Sequence, residues 1–322
     1  MDTFLTHRSA LEFWRLHGRA LDALERRHRT VAAPVNPPEA FAVRQLQAQG
    51  LSLPVEVTVA FDKNRRVSPL VRSHVLSASL PQGSIIRVDD RLLVSSPELC
   101  FMQLANTLAE SKLIKLGLEL CGTYSLPGPH ARSLDSDLAG KGFYERPALT
   151  TLKKLDALLS RMNGVRGKRQ AAQALRCLAN GSASPMETIL TMLLTLPNRL
   201  GGYGFPLPEL NALIVPAKTA KHSVSKSFYS CDLFWPDLNL AVEYDSDSHH
   251  ASAERIANDS KRRNSLSLLG ITVITVTNQQ VRNKVEFERV AKQLAVNLGI
   301  RLRHKEKPGF VQAQSKLRAL LL

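Results

Sequence analysis

Residues 227 to 250, SFYSCDLFWPDLNLAVEYDSDSHH, place two apolar stretches on either side of a short turn rich in Pro, Asp and Asn. Such a pattern predicts a β-hairpin. A turn centred between Asp237 and Leu238 sets Asp232 directly across from Glu243 on the neighbouring strand. The period of two then puts Asp245 on the same face as Glu243. Like charges opposed across a ladder destabilise a sheet, so the pair needs a compensating partner. A divalent cation is one candidate: ligands that are all oxygen favour a hard ion such as Mg²⁺ or Mn²⁺, which polarises a phosphodiester and lowers the pKa of a bound water. A neighbouring Lys or Arg at a solvent-facing strand end is the other.

The elements around the hairpin follow a readable order. Upstream, Ser184-Pro185-Met186-Glu187 combines a serine cap with an early proline, the signature of a helix start, and places Glu187 on the first turn. Downstream, a helix is expected from about Ala251 to Leu269, followed by ITVITVT, a β-branched run that reads as a buried strand.

Taken together, Ser184 to about Val281 resembles the very-short-patch-repair-like endonuclease domain of the PD-(D/E)XK, or restriction-endonuclease-like, superfamily. The resemblance rests on S-P-x-E at 184 to 187, Asp232, E-Y-D at 243 to 245, and the histidines His249 and His250. It extends to D-x-x-R-x-x-x-L-x-x-x-G, from Asp259 through Arg262 and Leu266 to Gly270. It implies an α/β fold with a mixed sheet flanked by helices and acids clustered at one edge around a metal. Asp232 and Glu243 would be the principal ligands, and Glu187 an acid in or just behind the coordination sphere. Two departures stand out. The superfamily lysine that orients or activates water is Asp245 here, and Ser246 stands where glycine is usual, at a point that asks for a left-handed or bulged backbone. The general base is therefore open: His249 or His250 has a suitable pKa, while either could instead pack or cap the next helix. Arg262 could pair with Asp259 or reach a phosphate. Tyr244 alternates away from the acids and is expected in the core, and Trp235 is expected to pack rather than stack on a base.

The remaining sequence sets the context. A chain of 322 residues can hold two domains. The expected division is an α+β accessory or recognition domain over 1–150, a basic helical linker over 151–183, a nuclease-like domain over 184–300 and a basic tail over 301–322. A boundary is expected at the small-residue joint ANGSASP. One or two amphipathic helices should open the chain, short strands should fill 50 to 100, and a helix capped by Ser95 or Ser96 should run on through Leu104, Leu108, Leu113 and Leu116. The stretches THRSALEFWR at 6 to 15 and LLVSSPELCFMQLA at 92 to 105 resemble antitoxin-like proteins of the abortive-infection AbiEi group, which implies an accessory α/β unit without chemistry of its own. Its histidines, His7, His17, His28, His74 and His130, are scattered along the chain. Cys100, Cys121, Cys177 and Cys231 lack metal or disulfide spacing and read as buried free thiols.

With 43 Lys and Arg against 28 Asp and Glu, the formal charge is +15. Residues 281 to 319 alone carry ten Lys and Arg and three Glu. Such an excess attracts a polyanion, or else serves solubility. DNA is the expected partner, with RNA as an open alternative and a homodimer allowed. The candidate contacts are Lys261, Arg262 and Arg263, together with Arg166, Lys168 and Arg169. No apolar run approaches the roughly 18 residues of a membrane span, and the N-terminus lacks a signal-peptide core, so a cytoplasmic location is expected. Two functions fit: a metal-dependent DNA endonuclease or nickase, and a DNA-binding or antitoxin-like regulator that keeps the nuclease fold without activity.

Overall fold

The computed structural model describes residues 2–25, 36–76, 79–128, 142–216, 226–246, 253–302 and 309–322. The chain is of the α/β class and divides into two compact units, residues 1–178 and 179–322. The division falls at the start of the predicted joint.

In the first unit, β1 (Thr3–Leu5) leads into α1 (His7–His17), α2 (Leu21–Glu25) and α3 (Ala40–Ala48). Then come β2 (Val55–Val59), β3 (Val71–Val75), β4 (Ile85–Arg87), β5 (Leu92–Ser95), α4 (Pro97–Leu104) and α5 (Glu110–Leu120). The unit ends with β6 (Tyr124–Ser125), β7 (Tyr144–Glu145), α6 (Leu152–Arg161) and α7 (Lys168–Leu175). A mixed sheet of order β3-β2-β1-β5-β4 forms its centre, with β1 parallel to β5, β2 parallel to β3, and β1–β2 and β4–β5 antiparallel.

The THRSALEFWR stretch ties α1 to this sheet. Ser9 Oγ accepts from Glu56 N at 2.9 Å, Glu12 Oε2 from Ser52 N at 2.8 Å, and the fully buried Trp14 donates Nε1–H to Ser95 O at 2.8 Å. Ser96 caps α4 by accepting from Leu99 N, and Pro97 occupies the first turn. The helix stops at Leu104 rather than running through Leu116, because the chain turns over 105–109 and restarts as α5. Strand β1 carries no sequence signature, since three residues are too few to show a period.

The segment 151–183 is not a separate linker. Helices α6 and α7 pack on α4 and α5, burying Leu155, Leu158, Leu159, Ala171 and Ala174 against the first unit.

The second unit runs α8 (Pro185–Thr195), β8 (Glu209–Ile214), β9 (Tyr229–Trp235), β10 (Leu240–Asp245), α9 (Ala253–Leu268) and β11 (Thr272–Thr277). Helices α10 (Asn278–Arg282), α11 (Lys284–Asn297) and α12 (Phe310–Leu321) complete it. Its sheet, in the order β11-β10-β9-β8, is antiparallel across β8–β9–β10 and parallel between β10 and β11. A core of Tyr229, Cys231, Phe234, Ala241, Leu266 and Ile271 joins sheet to helix.

The predicted tail over 301–322 is also structural where it is described. Phe310, Leu317 and Leu321 are buried, and α12 packs on α8 and on the turn Asn198–Leu200, because its apolar face needs cover. None of the four cysteines is in a disulfide; Cys100, Cys121 and Cys231 are buried and Cys177 is half-buried. Among the described residues, no helix is long and apolar enough to cross a membrane.

Candidate functional site

The hairpin forms in the predicted register. Trp235 pairs with Leu240, Phe234 with Ala241 and Leu233 with Val242. Asn239, at φ +47°, closes the turn in the left-handed conformation that Asn tolerates. One step further, where Asp232 and Glu243 would pair, Asp232 departs from simple pairing. Its Oδ2 accepts the backbone N–H of Tyr244 at 2.8 Å. On the other side of β9, Leu210–Leu233 and Ala212–Cys231 pair regularly, while Asn211, between them, takes φ +50°. The sheet is thus locally distorted on one flank of Asp232 by Asn211 and engaged on the other by Tyr244.

That distortion serves Glu187. Ser184 caps α8 by accepting from Glu187 N at 3.2 Å, which holds Glu187 on the first turn. Its Oε2 accepts from Ala183 N at 2.7 Å and from Asn211 Nδ2 at 2.6 Å. Asn211 Nδ2 also donates to Gly181 O at 2.9 Å. Despite these donors, burial pushes the Glu187 carboxyl above its ordinary pKa.

Asp232 is raised further, to about 7, by burial first and then by the charge of Glu187 and, more weakly, Glu243; the Tyr244 N–H and Arg262 oppose the shift. The three acids therefore share one electrostatic neighbourhood.

Glu243 has a cation of its own. Arg262, from α9, bonds Glu243 Oε1 and donates to Ser230 O at 2.6 Å. Their side chains are 27% and 17% exposed. Arg262 thus reaches across to the sheet instead of pairing with Asp259 within its helix. The Cys231 thiol beside this pair is pushed up to about 12 by burial and by the Glu243 charge. Glu243, Asp245, Asp259, Arg262, Arg263 and Thr275 line a recess of about 200 Å³.

Other expectations fare differently. Tyr244 is half-buried rather than core, because it lies near the open end of β10. Trp235 packs as expected, donating Nε1–H to Pro206 O at 3.0 Å. Among the described non-glycine residues, His7, Asn211 and Asn239 have positive φ, so Ser246 does not adopt the left-handed backbone. Lys261 and Arg263 are exposed on α9. Arg166 and Arg169 are exposed, and Lys168 is half-buried and bonded to Asn163 Oδ1 at 3.3 Å; all three belong to the first unit, whereas the acids belong to the second. His249 and His250 lie outside the described residues.

Asn211 has little local signal, an Asn in a short apolar stretch, and only the fold brings it to Glu187. The fold likewise stacks His7 on His74, with ring centroids 3.7 Å apart, from positions far apart in the sequence. Among the described residues, His7, Glu56 and His74 form the trio whose ligand atoms all lie within 4.8 Å of one another; Glu187, Asp232 and Glu243 do not close to that spacing.

Two curated relatives, uncharacterised proteins of Mycobacterium tuberculosis strains CDC 1551 and H37Rv, are each 32% identical to the chain over 136 residues. The match covers 41% of this chain and 45% of each relative, so the chain spans just under half the length of the curated relatives it matches. No family profile matches the chain, and no solved structure matches it.

Proposed function

We propose that the second unit is a metal-dependent DNA endonuclease or nickase. The observation that carries this reading is the neighbourhood of Glu187, Asp232 and Glu243, in which burial first, and then the charges of Glu187 and Glu243, raise the Asp232 carboxyl to about 7. Buried and half-buried acids that repel one another in a chain of net charge +15 suit a cation between them and a polyanionic substrate over them. The helix–hairpin–helix–strand order and the motifs at 184–187, 232, 243–245 and 259–270 support the PD-(D/E)XK resemblance.

Asp232 and Glu243 offer the carboxylate oxygens that Mg²⁺ or Mn²⁺ takes, and the three acids would have to draw together around the ion, since they do not stand at ligand spacing without it. Asp232 and Glu243 would hold the ion, which when bound would polarise the scissile phosphate and acidify a water. The chain's own groups do the rest. Ala183 N–H and Asn211 fix Glu187 behind Asp232. The Tyr244 N–H fixes Asp232, and Arg262 orients Glu243 while presenting a guanidinium suited to a phosphate oxygen. Asp245 and Arg263 line the same recess.

A non-catalytic DNA-binding regulator is the second reading. It is favoured by the Arg262–Glu243 ion pair, since a carboxylate that already has a cation needs no metal, and by Asp245 in the lysine position.

The deciding assay is cleavage of supercoiled plasmid, single-stranded DNA and RNA with Mg²⁺, Mn²⁺ or chelator, beside Asp232→Ala and Glu243→Ala. Metal-dependent nicking that both substitutions reduce at least about 100-fold supports the nuclease. Absence of cleavage, with DNA binding unchanged by metal or by either substitution, supports the regulator.

A further inference from the structure

A second constellation lies in the first unit. Strand β1 ends at Leu5, and His7 opens α1 at φ +49°, an unusual conformation for a residue with a side chain. It is held there by its backbone N–H, which donates to Gln103 Oε1 at 3.0 Å. Strand β2 supplies Glu56, and the parallel neighbour β3, at the sheet edge, supplies His74. Glu56 pairs with Arg72 and Thr58 with His74, so by the period of two these four side chains share one face.

We propose that His7, Glu56 and His74 form a binding site for a divalent transition metal ion of the Zn²⁺ or Co²⁺ class. Two imidazoles and one carboxylate are a donor set such ions favour, and three protein ligands leave a position open for water. The ligand atoms already lie within 4.8 Å of one another.

The nitrogens are assigned by their surroundings. His7 Nδ1 is engaged with Thr6 Oγ1 at 3.1 Å, and Thr6 Oγ1 also accepts from Thr58 Oγ1 at 3.2 Å, so Nε2 is the nitrogen left to ligate. Such hydrogen bonds to the non-ligating nitrogen are how metal-binding histidines are oriented. His74 Nε2 is buried without a hydrogen-bond partner, an arrangement that ring packing alone does not require. Glu56 Oε2 is fixed by Arg8 N at 3.0 Å.

Two adjustments accompany binding. The rings, now stacked with a 21° tilt, must pivot so that their lone pairs converge. Arg72, 3.6 Å from Glu56 Oε1, must swing away; its side chain is 55% exposed and has solvent to enter.

The test uses the full chain, stripped with chelator, dialysed, and titrated with Co²⁺ while the visible d–d bands are read, with bound Zn²⁺ measured in parallel by elemental analysis. The expected result is one tight equivalent in the wild type and in Asp232→Ala, weakened at least tenfold in His74→Ala and in Glu56→Gln. Retention in Asp232→Ala separates this site from the proposed nuclease centre. In the folded wild type, Zn²⁺ should also shift the ring-nitrogen NMR signals of two of the nine histidines. No bound equivalent, equal binding by wild type and His74→Ala, or ring shifts in none of the histidines would overturn the site.

Discussion

Arg262, on α9, forms an ion pair with Glu243, on β10, and the same guanidinium bonds Ser230 O on β9, so one side chain clamps two strands of the sheet to the helix. Removing one member of a partly buried pair leaves the other charge uncompensated. Arg262→Ala is therefore expected to destabilise the second unit by about 1–3 kcal/mol, at the lower end because the pair retains some solvent contact. Glu243→Gln should do less harm in the Arg262→Ala background than in the wild type. Urea unfolding of the double-mutant cycle measures the coupling; strictly additive losses would mean that the pair contributes nothing to stability.

Asp232 gives stability a pH dependence. Its carboxyl titrates near 7 in the folded chain, against an ordinary value of 3.8. Between those limits the folded protein holds a proton that the unfolded chain has released, so stability falls as pH rises through this window and the penalty is complete above it. Asp232→Asn cannot ionise and can still accept from Tyr244 N–H. In chelator it should exceed the wild type by about 1–3 kcal/mol at pH 8, with the difference vanishing near pH 4. Thermal melts at the two pH values decide; a gap independent of pH would exclude Asp232 as its source.

Asn211 combines a left-handed backbone with two side-chain hydrogen bonds, to Glu187 Oε2 and Gly181 O. Asn211→Ala loses both contributions and should cost about 2–3 kcal/mol, whereas Asn211→Gly restores the backbone freedom and should recover about 1 kcal/mol of it. Comparing unfolding midpoints of the two variants separates strain from hydrogen bonding. Equal losses would show that the conformation at φ +50° carries no strain.

Gly201 marks how closely α12 approaches the body of the second unit. At φ +91°, a Cβ there would run into the backbone of Ala313 and Gln314. Gly201→Ala is expected to cost at least about 2 kcal/mol, from the strained backbone plus the displaced helix. Amide exchange should rise across α12 first. Unchanged protection of that helix would mean that the close approach does not hold it.

The sequence by itself determined what depends on neighbours along the chain. The hairpin register follows from the turn at 236–239 and the period of two, and the pairs Leu233–Val242, Phe234–Ala241 and Trp235–Leu240 match it. The caps at Ser96 and Ser184 follow from a serine before a proline. The second unit starts at the first residue of the small-residue run ANGSASP, whereas the nuclease-like domain is expected from 184. Tertiary structure decided everything that depends on which distant faces must cover each other. Whether Arg262 turns to Asp259 or to Glu243 is set by how α9 packs on the sheet, a choice that spacing within the helix leaves open. Helix α12 and helices α6 and α7 read as charged tail and linker because their basic residues are conspicuous, yet their sparse apolar stripes are what the two cores bury. His7 and His74 meet only because β1, β2 and β3 lie side by side in one sheet, and strand neighbours brought together by long connections leave no mark in local sequence.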